Sequence, residues 1–248
     1  GGYLSSYVFG IYSACRADIW TGNALPPDPG MRLFLTTSNL YKSAALAGLG
    51  TLMSAGRIVH GGMPPVLCIS SMFLMLMFIA GAVNAWGQCA GMPGIVTARR
   101  TFLLGLLIVC ILVFLILPIQ VFWLDPGLKS AMLKAGRPGL TALAYPETFA
   151  GRVSLLLWSA GFQTLFMVAA PMALAARITG RWPIAMVVCI ILRACIWRLQ
   201  VAEYGLAEHA LPFTAAAVFP AAIACWLFAR FGLAPAMVFG AGMSLHVF

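Results

Sequence analysis

The sequence predicts an all-α fold, a polytopic membrane helix bundle of six to seven transmembrane helices. Three observations lead there. The 248-residue chain is 62% hydrophobic and only 8% charged, whereas a soluble domain carries about 25% charged residues. Apolar runs that match the ~20 residues of a helical span recur along its length. These runs are uninterrupted, unlike the alternating segments of a transmembrane β-barrel.

Residues 1–40 read as an amino-terminal extension at the membrane surface or on a partner. GGYLSSYVFGIYSACRADIW is mildly apolar but too broken for a span. It lacks the charged start and apolar centre of a signal peptide. ALPPDPG, 24 to 30, is a rigid extended piece or turn, because its prolines fix φ and remove donors. Residues 41–248 form the transmembrane helical domain. A first span is expected from Tyr41 to His60 and a second from Pro65 to Trp86. The third, Thr101 to Trp123, is the most apolar, and Pro118 should kink its end. Residues 125 to 147 read as the longest polar connection. A fourth span, Val153 to Ala176, passes through RITGRW into a fifth, Pro183 to Tyr204. Residues 211 to 229 and 231 to 248 are expected as two short spans.

The net charge of +9 rests on fifteen Lys and Arg. With alternating spans, Arg16, Arg32, Lys42, Arg99, Arg100, Arg177, Arg181 and Arg230 share one side. Arg57, Lys129, Lys134, Arg137 and Arg152 take the other. That bias places the amino terminus inside. No basic run with interleaved aromatics occurs, which argues against nucleic acid.

Catalytic patterns are missing: there is no GxSxG, HExxH or P-loop. Seven scattered cysteines form no CxxC, and His60, His209 and His246 lack ligand spacing. No metal site, catalytic residue or cofactor is therefore expected in this chain. Glu208 and His209 read as an exposed loop pair, with proton shuttling as the alternative. A transporter should show two related halves, and no repeat is present. The informative stretch is RACIWRLQVAEYGLAEHALPF, Arg193 to Phe213, which places Arg193, Arg198, Gln200 and Glu203 in or beside an apolar span. Ionisable groups at membrane depth usually face protein or water. Arg193 and Glu203 lie about 15 Å apart along a helix, too far to pair. Each needs a partner on another helix or subunit; Glu203 and Tyr204 could instead mark the interface end of a span.

LQVAEY at 199 to 204, HALPFT at 209 to 214 and GAGMSLHVF at 240 to 248 resemble, in order, runs of cytochrome c oxidase subunit III: LQxxEY, APFT and GFHGLHVI. LMSAGRIVH at 52 to 60 is similar to the end of that family's first helix. IVTARRTFLLG at 95 to 105 resembles the approach to its third, and residues 152 to 182 its fourth helix and the charged turn after it. The chain departs from the family in having no acid between 99 and 124, where a buried glutamate is usual, and in carrying Met243 near the place of the first GFHGLHV histidine. The resemblance implies a non-redox core subunit of respiratory complex IV in the mitochondrial inner membrane, or alternatively in a bacterial cytoplasmic membrane. Haem a and copper would lie in partner subunits, chiefly the catalytic subunit I. The chain would stabilise that subunit, support proton uptake and hold phospholipids in a cleft between spans one and two and the rest. His60, Glu203 and His246 would make internal contacts, with Tyr204 beside them. Arg193 would meet partner carboxylates or lipid. Arg99, Arg100, Arg177 and Arg181 would contact headgroups, unless they only mark topology.

Residues 161 to 245 also resemble, more loosely, CAAX-protease-like intramembrane metalloproteases. Gln163 and Thr164 stand where glutamates would hold metal and water, Trp197 at the first histidine place, and Gly240 or Ala241 at the second. This alternative implies a degenerate scaffold without catalysis.

Overall fold

The computed structural model describes residues 33–58, 64–95, 98–136, 138–203 and 210–248. About 90% of these are helical and none is in a strand. In chain order the helices are α1 (Thr37–Ile58), α2 (Pro65–Cys89), α3 (Arg99–Ile119), α4 (Asp125–Lys134), α5 (Pro138–Ala144), α6 (Phe149–Trp158), α7 (Ala170–Thr179), α8 (Trp182–Glu203), α9 (Ala210–Phe231) and α10 (Leu233–Met243). Wider π turns at Gln120–Leu124 join α3 to α4, and π turns at Ser159–Gln163 and Leu165–Ala169 carry α6 into α7. Five helices are long and apolar enough to cross a membrane: Pro65–Cys89, Arg99–Lys134, Phe149–Thr179, Trp182–Leu199 and Ala210–Phe231.

The helix boundaries follow local chemistry. α1 begins at Thr37, earlier than expected, because the Thr36 hydroxyl accepts the Asn39 N–H at 3.3 Å and caps the first turn. Residues 125 to 134 are helical where a polar connection was expected. Pro118 has no N–H to offer its own turn, yet the helix does not end there and passes two residues later into the π turn. Lys134 in the last turn of α4 suits the helix dipole. α7 stops at Gly180, whose φ of 69° gives the left-handed cap.

The unbroken α6–α7 helix is the centre of the bundle. It packs against α1, α2, α8, α9 and α10. Leu165, Ala169, Met172, Ala173 and Ala176 line its buried side and meet Leu76, Ala80 and Val83 of α2, Ala185 and Cys189 of α8, and Leu227 and Phe228 of α9. α1 and α2 pack chiefly on each other and reach the rest mainly through α6–α7. α3 lies outermost, against α10 and α9. Only 11% of the most apolar stretch of α3–α4 is buried, and the same share of α8. Phe114, Phe122 and Trp123 point outward on the first, and Ile191 and Leu199 on the second. In water such faces would aggregate; in a bilayer they meet lipid or another helix.

Between α9 and α10 the chain turns at Gly232, with φ 90° and ψ −176°. Only glycine adopts that region without strain. Gly232→Ala should lower stability by about 1–2 kcal/mol, read as a fall in melting temperature of the detergent-solubilised chain.

Candidate functional site

Three polar clusters stand out, one at each end of the bundle and one at its middle. The first joins α1 to α2. Asn84 Nδ2 donates to Asn39 Oδ1 at 2.7 Å, and Asn84 Oδ1 accepts from Gln88 Nε2 at 3.0 Å and from the Ile95 N–H at 2.9 Å. Asn39 Nδ2 donates onward to the carbonyls of Phe34 and Gly81. Ser43 donates to the Asn39 carbonyl at 2.7 Å. Asn39, Ser43 and Asn84 are all buried, so the network satisfies groups that would otherwise be costly.

Arg99, Arg100, Arg177, Arg181 and Arg230 lie at that same end. The Arg177 guanidinium lies 5.3 Å from the centre of the Trp86 ring, and that of Arg230 lies 5.6 Å from Trp182. These two contacts bring the carboxyl ends of α2, α7 and α9 to the amino end of α8. Tryptophan is enriched at membrane interfaces, and arginine stacks on it. Arg99 and Arg100, at the start of α3, are exposed, as are Arg177 and Arg181. Phosphate groups or water could meet all four.

At the opposite end, the Tyr145 hydroxyl donates to Asp125 Oδ1 at 3.1 Å. His246 meets the Tyr145 ring edge-on, with centroids 5.8 Å apart. Its Nδ1–H donates to the Met243 carbonyl at 2.8 Å, which turns Nε2 outward from that bond. Burial, with the Asp125 carboxylate beside it, pushes the Tyr145 phenol above its ordinary range, so it stays a donor. A small apolar cluster of Ala131, Met132, Val201 and Phe213 packs nearby, with Tyr145 and Trp197 on its edge. His246, expected as an internal contact, is half-buried beside the Tyr145 ring.

The middle holds two features. In α6–α7, Ser159 Oγ donates to Gln163 Oε1 at 2.9 Å, and Thr164 Oγ1 donates to the Ser159 carbonyl at 2.8 Å. The second bond reinforces the widened π turn. α10 approaches this turn so closely that a Cβ on Gly240 would lie 2.9 Å from the Ser159 carbonyl oxygen. In α8, the Arg193 guanidinium sits 5.4 Å from the Trp197 ring centre. Arg193 Nε, Trp197 Nε1 and, on α9, Thr214 Oγ1 are buried atoms with no hydrogen-bond partner among the described residues.

Thus the structure separates the expected site residues. Arg99, Arg100, Arg177 and Arg181 lie at one end, His246 at the other and Arg193 between. Glu203 closes α8; its side chain, His60 and Tyr204 lie outside the described residues, as do Glu208, His209 and residues 1–32. Asn39, Asn84, Asp125 and Tyr145 were missed. The signal for Asn84 was an amide inside an apolar run, and for Asp125 and Tyr145 a charge and a phenol bounding the polar segment. Among the described residues, no three His, Cys, Asp or Glu gather as a metal site would need. The chain matches no protein-family model, and no curated protein or solved structure is significantly similar to it.

Proposed function

We propose that this chain is a non-redox membrane subunit of the cytochrome c oxidase subunit III kind, with six to seven spans. It would stabilise the catalytic subunit I, hold phospholipid and support proton uptake, while haem a and copper sit in partner chains. The observation that carries the reading is the pairing of α1 with α2, the two spans that the resemblance implies as one arm; both also pack along α6–α7, so the rest of the bundle lies directly against that pair. The basic, tryptophan-rich end supplies positions for anionic headgroups. α1 and α10 would complete the span count. The mitochondrial inner membrane is the proposed site, with a bacterial cytoplasmic membrane as the alternative.

The test is a reduced-minus-oxidised absorption spectrum of the native complex purified through a tag on this chain. The red-shifted band of haem a, with cyanide-sensitive cytochrome c oxidation, is the expected result. An intact complex without haem would overturn the reading. Within such an oxidase, Glu203→Leu should lower the assembled complex severalfold on a native gel and leave the haem spectrum per complex unchanged.

A second reading is the degenerate intramembrane-protease scaffold. One contact favours it: Thr164 and Gly240, from two of the three places that pattern would fill with metal-site residues, pack against each other. Trp197, at the third place, belongs instead to the cluster around Val201 and Phe213. A haem-free complex in the same experiment would leave this scaffold as the better account.

A further inference from the structure

Arg193 occupies the middle of α8, about 15 Å from either end at 1.5 Å per residue. A cation at that depth is costly unless an opposite charge or water meets it. Neither α8 before Glu203 nor α9 beside it contains an acid. The guanidinium does not stretch freely toward an interface: it is stacked on Trp197, and its Nε is buried without a hydrogen-bond acceptor among the described residues. The residue as a whole is half-buried, so it keeps an outward side. Beside it α8 presents Leu192, Ile196 and, further round, Leu199, all exposed, and α9 adds Phe219.

We propose that this face of α8 is the docking surface for a transmembrane helix of a partner subunit, and that the helix brings an aspartate or glutamate to Arg193. Charge complementarity selects the occupant. An arginine offers a planar fork of donors that suits a carboxylate. A lipid phosphate lies at the edge of a hydrocarbon layer about 30 Å thick and would have to sink most of the way to the midplane. A side chain on a crossing helix starts at the right depth. The exposed leucines and isoleucine then pack against that helix as ordinary apolar contacts, while the ion pair sets partner and register.

The inference rests on the reading of the chain as one subunit of a membrane complex, but its test does not depend on haem. The full-length tagged chain, in its native membrane, carries a photo-crosslinking amino acid in place of Leu192 or Ile196. After illumination, the crosslinked peptide is expected to come from a partner's transmembrane helix containing Asp or Glu. Arg193→Leu should lower the co-purified partner at least about tenfold, as expected for loss of a desolvated ion pair, with Arg193→Lys retaining only part of it, because lysine keeps the charge but not the planar fork. Exchanging the charges, Arg193→Glu with the partner's acid changed to arginine, should restore assembly. That rescue distinguishes a lost contact from a misfolded chain. Crosslinks to lipid alone, a partner helix without an acid, or undiminished partner in Arg193→Leu would each overturn the proposal. A haem-free complex that still shows the acid-bearing crosslink would remove the oxidase reading and leave this surface in place.

Discussion

Asn84→Leu should destabilise the chain by about 3 kcal/mol, lowering its melting temperature in detergent by about 10 °C. Asn84 serves three partners at once: Asn39, Gln88 and the Ile95 N–H. Leucine satisfies none of them. Each buried donor or acceptor left unpaired costs about 1–3 kcal/mol. The loop after α2 should loosen as well, because its Ile95 N–H is anchored only through that amide oxygen in the network described. Gly94 packs directly on the same oxygen, so a branched side chain at 84 also collides with the loop. The control is Leu74→Ala on the exposed side of α2; a larger loss there than at Asn84 would sink the argument.

Gly240→Val should be comparably damaging. The new Cβ would lie 2.5 Å from Thr164 Oγ1 and 2.9 Å from the Ser159 carbonyl oxygen. The hydroxyl can rotate, but the carbonyl belongs to backbone at the centre of the bundle. α10 must therefore move away from the π turn, and overpacking of this kind costs about 1–3 kcal/mol. Adding Thr164→Ala should recover part of the loss and leave the part due to the carbonyl, a non-additivity expected of residues in contact. Melting temperatures of the two single variants and the double variant decide it. Full additivity would mean that the two helices do not meet where the structure places them.

Much of the fold could be read from the chain because membrane helices announce themselves by composition. The run from Thr101 to Trp123 needs no partner to be recognised, and Ala229-Arg230-Phe231-Gly232 marked the break that the structure places at Gly232. Arg193 was conspicuous for the same reason, as a charge among apolar neighbours. The π turns were not legible. They widen helices that continue on both sides, and periodicity alone cannot say whether a helix kinks, ends or widens. The Asp125–Tyr145 bond was equally hidden, because it joins residues twenty positions apart through a segment read as a connection. Asn39 and Asn84 do not stand out in the sequence as charges do, and it is these uncharged amides that organise the α1–α2 pair.

The reliance of α1 on its neighbours bears on how the chain enters the bilayer during synthesis. α1 carries Lys42, Ser43, Thr51 and Ser54, and the last three are buried only by later segments. Its glycine at 50 faces Gly161 of the central helix, with a Cβ on Gly161 falling 3.5 Å from the Gly50 Cα. When α1 emerges from the ribosome, neither α2 nor that helix yet exists. Insertion scales charge several kcal/mol for such polar content at the middle of a lone span. α1 is thus expected to wait at the translocon and to enter the lipid together with α2 as a hairpin. It settles fully only after more than a hundred further residues have been made, so a helix translated early is among the last to reach its final surroundings.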